Sequence, residues 1–182
     1  MNALANEQVG EYVNEHFVTA YQKVGTFRLV NGKKQGGNVA TYFCLPDGTV
    51  LHAVAGPVNA ARFLQEARFA VEMHKLAAAN ARNDPFKYRL TVRASHYDKL
   101  QAESGVQYPP AALPGLRHAD AVTDEPLRLG LGRRLGNPGK VSALLTAYPL
   151  ARLETLYPVV WEQVLNEKLS AAPAGTGRRS RP

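Results

Sequence analysis

Apolar side chains near the N-terminus recur at the spacing of a helix. Val9, Val13 and Phe17 recur every fourth residue, so they lie on one face of a helix. Asn6 stands just before this stretch and is a residue type that caps helix N-termini. The pattern predicts a helix over 6–16 with one apolar face, and such a face needs another element, here a sheet, to pack on.

β-Branched and aromatic residues dominate the next part of the chain, which predicts strands at 17–21 and 26–30. A stronger signal is a pair of strand-forming stretches, 39–45 and 49–54, joined by a Pro-Asp-Gly turn at 46–48. Pro presets φ for a turn and Gly accepts positive φ, so this segment predicts an antiparallel hairpin.

Gly56 and Pro57 end the hairpin, and a long helix is predicted over 59–79. The residues of its apolar stripe, which should face the sheet, are Phe63, Ala67, Ala70 and His74, with Leu64 and Val71 beside them. Helix, strand, hairpin and helix in this order form the layer pattern of an α/β domain.

Another long helix is predicted to begin at Pro85, with Asn83 or Asp84 as its cap, and to end at Gly105. The residues expected to share its apolar face are Phe86, Leu90, Ala94, Tyr97 and Leu100. The basic residues expected to lie largely outside that face are Lys87, Arg89, Arg93 and Lys99.

The remainder of the chain divides by composition. Residues 105–138 are rich in Pro and Gly and are interpreted as a wrapping linker. Helical spacing returns after it, and Pro149 and Pro158 are predicted to break or kink the helices. We therefore expect an α/β domain over 1–80, a helical extension over 81–170 that contains the linker, and a disordered basic tail over 171–182.

The overall composition is that of a folded, water-soluble protein, with 45% hydrophobic and 20% charged residues. Arg178, Arg179 and Arg181 contribute to the net charge of +7, so the charge indicates a solvated basic tail rather than a specific nucleic-acid interface. The sequence has no stretch of the length and apolarity of a membrane span, and its first residues lack the features of a signal peptide. We expect a cytoplasmic protein, unless sequence upstream of Met1 directs it elsewhere, with no membrane partner.

Cys44 is the only cysteine in the sequence. One thiol excludes an intrachain disulfide, a CxxC pair and a multi-cysteine zinc site. Cys44 lies on a predicted core strand, where free cysteine behaves as a small hydrophobe, and alternation places it with Tyr42 on one face and Phe43 with Thr41 on the other. Cys44 is thus a single thiol that would form a mixed disulfide only if its face were exposed.

The remaining polar motifs do not predict a catalytic or metal site. The histidines lack an i, i+4 pair, so we expect no metal ligands and no cofactor among His16, His52, His74, His96 and His118. Ser95 and His96, with Asp98 nearby, are interpreted as charged helix surface. The glycines of 130–136 miss the spacing of a phosphate-binding loop.

Two basic pairs, Lys33-Lys34 and Arg133-Arg134, would suit an acidic partner together with the tail. No interleaved set of aromatic residues accompanies them, so the sequence does not predict a specific nucleic-acid partner. No small-molecule substrate is indicated either.

Three passages within residues 1–80 resemble the second part of a bacterial thioredoxin-family domain. They are the helix with its flank at 6–18, the centre of the hairpin at 41–52, and Gly56 with the helix from Asn59. In that family they would be the helix after the active-site turn with the start of the next strand, the terminal β-hairpin, and the last helix. The resemblance covers under half of the chain, and the hairpin is its most specific part.

Two departures from the family bear on activity. The family's redox pair is a CxxC at the start of the first matched helix, where the helix dipole lowers a thiol pKa, and here that position falls at or before Met1. The family's cis-proline corresponds to Val39, and the peptide bond before Val39 is expected to be trans because a cis bond is costly before any residue but proline. The strand that precedes the active-site turn in the family is missing as well.

The resemblance therefore implies an α/β fold with an incomplete thioredoxin-like sheet, flanking helices and a C-terminal helical extension. Our first hypothesis is a redox-inactive thioredoxin-like protein, without catalytic residues, that serves as a binding or structural module for a protein partner or a second copy. The second hypothesis is the downstream fragment of a thiol–disulfide oxidoreductase whose CxxC lies upstream of Met1. A basic nucleic-acid-associated protein is a third and weaker hypothesis.

Overall fold

A computed structural model describes residues 3–22, 28–30, 33–35, 38–105, 121–128 and 135–168. Over these residues the chain is a mixed α/β protein with two antiparallel two-stranded hairpins, and helices pack on both faces of the second hairpin. The strands are β1 (Arg28–Val30), β2 (Lys33–Gln35), β3 (Ala40–Cys44) and β4 (Val50–Ala55). The helices are α1 (Glu7–His16), α2 (Ala60–Ala81), α3 (Pro85–Ser104), α4 (Glu125–Arg128), α5 (Asn137–Ala147) and α6 (Leu153–Val159).

The predicted central hairpin is confirmed as β3 and β4. Thr41 lies opposite Val54, and Tyr42 lies opposite Ala53. In the turn, Gly48 adopts a φ of 83°, a conformation that side chains disfavour, and the carboxylate of Asp47 accepts a hydrogen bond from the Thr49 amide at 2.9 Å. Local turn chemistry therefore fixes where the chain reverses.

The two earlier strand predictions have different outcomes. The strand predicted at 17–21 is wrong: after α1 the chain runs without strand pairing, and the side chains of Val18 and Tyr21 are almost fully exposed. β-Propensity produces a strand only where a partner edge and a buried face exist. Phe17 alone packs inward, with its ring centroid 5.3 Å from that of Phe43. The second prediction is met in part by β1, which pairs with β2, while residues 26 and 27 lie outside the described residues.

Helix α1 begins at the predicted cap, and α2 begins where its helix was predicted, with Asn59 as the cap. The Asn6 side chain accepts a hydrogen bond from the Val9 amide at 3.3 Å, and the Asn59 side chain accepts one from the Arg62 amide at 2.8 Å. On α2 the predicted stripe is buried at Phe63, Ala67 and Ala70, with His74 half-buried. The residues of α2 that are buried beyond this stripe are Glu66, Met73, Ala77 and Ala81.

Helix α3 has the predicted ends and a different buried face. Asp84 accepts hydrogen bonds from the amides of the first turn, and Gly105 closes the helix at a φ of 65°. The predicted face is wrong at Phe86, which is 60% exposed, and at Leu90, which is 38% exposed. Leu100 is buried as predicted, whereas Ala94 is exposed, and the other buried residues, Val92 and His96, lie outside the predicted face. The face is rotated because α3 packs between α2 and α5 and must present side chains to both.

The C-terminal helices follow the predicted breaks. Pro149 lies in the turn between α5 and α6, and Pro158 lies inside α6, directly before a π-helical turn at Val160–Val164. Part of the predicted linker is helical, since α4 and the first turn of α5 fall inside it. None of the helices over the described residues is long and apolar enough to cross a membrane.

The hydrophobic core is continuous across residue 80. One buried cluster joins Val50 and Ala53 of β4 to residues of the C-terminal helices, among them Leu144, Leu145 and Trp161. A second cluster covers the opposite face of the hairpin and joins Phe43 and Val54 to α1 and α2. The predicted division into 1–80 and 81–170 stays a prediction, while the packing unites the two parts in one core.

Substituting Phe63 by alanine should remove a central contact of the second cluster. Phe63 is buried, and its ring centroid lies 6.0 Å from that of Phe43. We expect Phe63→Ala to lower the free energy of unfolding by about 3–5 kcal/mol, measured by urea denaturation. Leu76→Ala on the exposed side of the same helix is the matched control, and it should change the free energy by less than about 1 kcal/mol. A comparable loss in both variants would contradict this assignment of the buried face.

Candidate functional site

A cluster of charged side chains lies between β4, α2 and α3. We call it the Glu66 cluster, and its members are His52, Arg62, Glu66, Lys99 and Glu103. One Glu66 oxygen is 2.6 Å from Arg62 Nε, and the other is 2.7 Å from His52 Nε2 and 3.0 Å from Lys99 Nζ. Glu103 completes the cluster by pairing with both Arg62 and Lys99. Two carboxylates therefore meet two cations, and the group carries no net charge.

Helical spacing positions the members of the cluster. On α2, Arg62 and Glu66 are four residues apart, and on α3 Lys99 and Glu103 have the same separation. Both pairs are visible in the sequence. What the sequence does not indicate is that α2 and α3 turn these pairs towards each other. Lys99 was expected outside the apolar face, yet only 10% of its side chain is exposed.

Two buried imidazole rings stack beside the cluster. The rings of His52 and His96 have centroids 5.5 Å apart and an interplanar angle of 27°. His52 Nε2 faces the Glu66 carboxylate, and His96 Nε2 faces the carbonyl oxygen of Leu51 at 2.8 Å. Both partners are acceptors, so each neutral ring must carry its proton on Nε2. The Nδ1 atoms of both rings are buried and have no hydrogen-bond partner among the described residues.

Burial dominates the proton affinities of these rings. It lowers the pKa of His96 to about 3, and the neighbouring His52 and Lys99 act in the same direction. Burial likewise lowers the pKa of His52, against the opposing effect of its hydrogen bond to Glu66. Both histidines are therefore neutral at pH 7.

Glu66 is ionised although it is buried. Burial favours its neutral form, but the hydrogen bonds that it accepts from His52 and Lys99, together with the positive charge of Lys99, outweigh burial and lower the pKa of Glu66 to about 2. Because His52 is neutral at pH 7, the charges that compensate Glu66 there are those of Lys99 and Arg62. A buried carboxylate without them would be strongly destabilising.

The cluster connects structural elements and is closed to a substrate. His52, Glu66 and His96 are each no more than 2% exposed, so a molecule could reach them only by opening the packing. Ser95 Oγ donates to the carbonyl of Thr91, and His96 donates to that of Leu51, so these residues do not form a triad. The interpretation of His96 as charged helix surface is wrong, because the ring is fully buried.

The outer edge of β4 is closed by the helical part of the chain. Its Leu51 carbonyl accepts from His96 of α3, and its Ala55 carbonyl accepts from the Asn137 side chain of α5 at 3.2 Å. The Val50 amide donates to the carbonyl of Ala151 at 2.8 Å. Side chains from α3 and α5, together with a short antiparallel bridge between Thr49 and Arg152, thus bond this edge in place of a full neighbouring strand.

The outer edge of β3 is bonded less. Among the described residues, a contact on this side lies just before the strand, where the Asn38 amide donates to the Glu167 carboxylate at 3.2 Å. The Gly56 amide donates to the Val39 carbonyl at 2.7 Å, and the Leu45 amide donates to Thr49 at 2.8 Å, so the odd-numbered residues of this strand point their backbone groups towards β4. The backbone groups of Ala40, Tyr42 and Cys44 consequently point away. No strand among the described residues pairs with this edge. These three residues are half-buried.

The two residues singled out by the sequence both belong to this strand region. The side chain of Cys44 is half-buried beside Tyr42 against the C-terminal helices, while Phe43 packs on the opposite face, as alternation predicted. Burial raises the pKa of the Cys44 thiol, and the nearby Asp47 carboxylate adds to this effect. Val39 precedes β3, is 49% exposed, and follows a trans peptide bond.

The other predicted motifs add no further site. The backbone of Lys33 and Lys34 lies in β2, whereas Arg133, Arg134 and the tail lie outside the described residues, as does most of 130–136. Within the part of the chain that the structure describes, no group of three or more histidine, cysteine or acidic side chains could hold a metal ion.

Acid should destabilise the fold through the buried histidines. His96 has a pKa of about 3 in the folded chain against 6.5 for an ordinary histidine, so the unfolded chain binds a proton first as the pH falls. The contribution of His96 to the free energy of unfolding is at its full value above pH 6.5. It should decrease by about 1.4 kcal/mol per pH unit between pH 6.5 and 3. Glu66, with a folded pKa of about 2 against 4.5, adds a loss in the same direction below pH 4.5.

Urea denaturation at a series of pH values measures the slope of the free energy of unfolding against pH. His96→Asn, which keeps a donor for the Leu51 carbonyl, should reduce the slope between pH 6.5 and 4.5. An equal slope in the variant and the original chain would contradict the role given to His96.

A scan against protein-family models, a search of curated proteins and a search of solved structures each found nothing that matches this chain.

Proposed function

We propose that the chain is a redox-inactive, thioredoxin-like binding module that accepts an extended protein segment along the open edge of β3. The observation that carries this proposal is a difference in hydrogen bonding between the outer edges of β3 and β4. Among the described residues, the outer edge of β4 is bonded by His96, Asn137 and Ala151, whereas on the outer side of β3 the Asn38 amide is bonded by Glu167 and no strand pairs with Ala40, Tyr42 and Cys44.

The chemistry of the open edge suits backbone pairing. Ala40, Tyr42 and Cys44 each direct one N–H and one C=O away from β4, a row that an added strand can satisfy. Strands at natural sheet edges commonly carry Lys, Pro or another charge that discourages such pairing. The sequence of β3, Ala-Thr-Tyr-Phe-Cys, has none of these, which supports pairing of its outer edge with another strand.

The state of Cys44 supports a function other than thiol–disulfide exchange. Its pKa is raised, so little of the reactive thiolate is present at neutral pH. The sequence also holds no second cysteine that could resolve a mixed disulfide. The second hypothesis, a fragment of an oxidoreductase, stays a prediction because it concerns sequence outside this chain.

The purified chain should not accelerate the reduction of insulin disulfides by dithiothreitol. The expected rate equals the uncatalysed rate, because a single thiol cannot complete the exchange cycle. Insulin precipitation followed by turbidity measures the rate, and Cys44→Ser is the matched control. Turnover that Cys44→Ser abolishes would contradict the redox-inactive assignment.

Amide hydrogen exchange tests whether the edge is open. In the monomer at low micromolar concentration, the amides of Tyr42 and Cys44 should exchange at least about tenfold faster than those of Thr41 and Phe43, which are bonded to β4. The measurement is residue-resolved exchange by NMR on the whole chain. Equal protection of all four amides in a monomer would mean that the chain covers its own edge, and the proposed function would be wrong.

A further inference from the structure

We propose that the occupant of the β3 edge is a second copy of this chain, which forms a twofold-symmetric dimer by antiparallel pairing of β3 with β3. This inference rests on the proposed function, because it requires the edge to be open in the monomer. The resulting sheet has four strands in the order β4, β3, β3, β4. Each copy brings two strands, and the helices on the far sides stay in place.

The pattern of outward groups matches itself under a twofold rotation. Ala40, Tyr42 and Cys44 are evenly spaced, so a twofold axis at Tyr42 places Tyr42 opposite Tyr42 of the second copy and Ala40 opposite Cys44 of the second copy. Every outward N–H and C=O of the three residues then has a partner. This register follows from the alternation of the strand itself.

The charges and the far edges also fit a second copy. No charged side chain of β3 has to be buried or opposed when two such strands meet. The outer edge of β4 is already bonded to His96 and Asn137, so strand addition stops after one partner. A closed dimer results rather than a growing sheet, as expected for an interface that is the same patch on both copies.

The dimer should be visible by sedimentation velocity over a dilution series. The expected species at high concentration has twice the monomer mass of 19.8 kDa and dissociates on dilution, and the exchange of the Tyr42 and Cys44 amides should slow as the dimer forms. Ala40→Pro removes an outward N–H without touching a bond to β4, so it should shift the chain to monomer. Ala40→Ser keeps that N–H and is the matched control, which should remain dimeric.

An engineered disulfide tests the register and does not depend on Ala40→Pro folding. With Ala40→Cys, the new thiol lies opposite native Cys44 of the second copy, at the Cα separation of about 5.5 Å that a disulfide accepts. Within one chain positions 40 and 44 are about 13 Å apart along the strand, so the bond can form only between copies. Mild oxidation should give a covalent dimer on a non-reducing gel. Val39→Cys, which points to the other face and out of register, should give much less.

The outcomes separate this inference from the proposed function. If the edge amides exchange freely and the chain stays monomeric at every concentration, the proposed dimer is wrong, while the proposed binding function still stands. Edge amides protected in a monomer would overturn both. Equal cross-linking of Ala40→Cys and Val39→Cys would overturn the twofold register at Tyr42.

Discussion

The outer edge of β4 has no full neighbouring strand among the described residues, only an antiparallel bridge between Thr49 and Arg152, and the arrangement of the helices depends on how its backbone groups are bonded. His96 of α3 donates to the Leu51 carbonyl, Asn137 of α5 donates to the Ala55 carbonyl, and the Ala151 carbonyl accepts from Val50. A buried carbonyl without a donor is costly, so the first two contacts fix where α3 and α5 lie against the sheet, and the third holds the turn between α5 and α6 against β4. Since His96 acts from the centre of the core, it must be neutral to remain there.

The Glu66 cluster neutralises the charges that this arrangement of α3 brings towards the interior. Turning His96 inward also turns Lys99 and Glu103, one and two helical turns further along α3, towards α2. Their charges are matched there by Glu66 and Arg62. A buried ionic cluster of this kind adds little stability compared with apolar packing, but breaking one pair is expensive. Its effect is therefore to favour one rotation of α3, and that rotation leaves Phe86 and Leu90 exposed.

The parts of the structure that could be predicted are those determined by neighbouring residues. The caps Asn6, Asn59 and Asp84 and the turn at Gly48 act within four residues of themselves, and each stands where the sequence places it. The buried face of α3 and the inward position of His96 depend on residues 45 positions away, such as Leu51. A hydrophobicity pattern counts His96, Lys99 and Glu66 as surface, because it contains no information about which charges will neutralise one another.

The placement of the two core clusters also decides where another molecule can contact the sheet. One cluster covers the hairpin face that carries Phe43 and Val54, and the other covers the face that carries Tyr42 and Ala53. With both faces packed and the β4 edge bonded among the described residues, the edge of β3 is the part of this hairpin that we propose for contact with another molecule. Contact there is made through backbone groups, which are the same in every protein, so shape and the side chains that flank the edge must provide the selectivity. An uncharged strand such as β3 admits a neighbour that is equally uncharged and excludes one that would have to bury a charge against Tyr42 or Phe43.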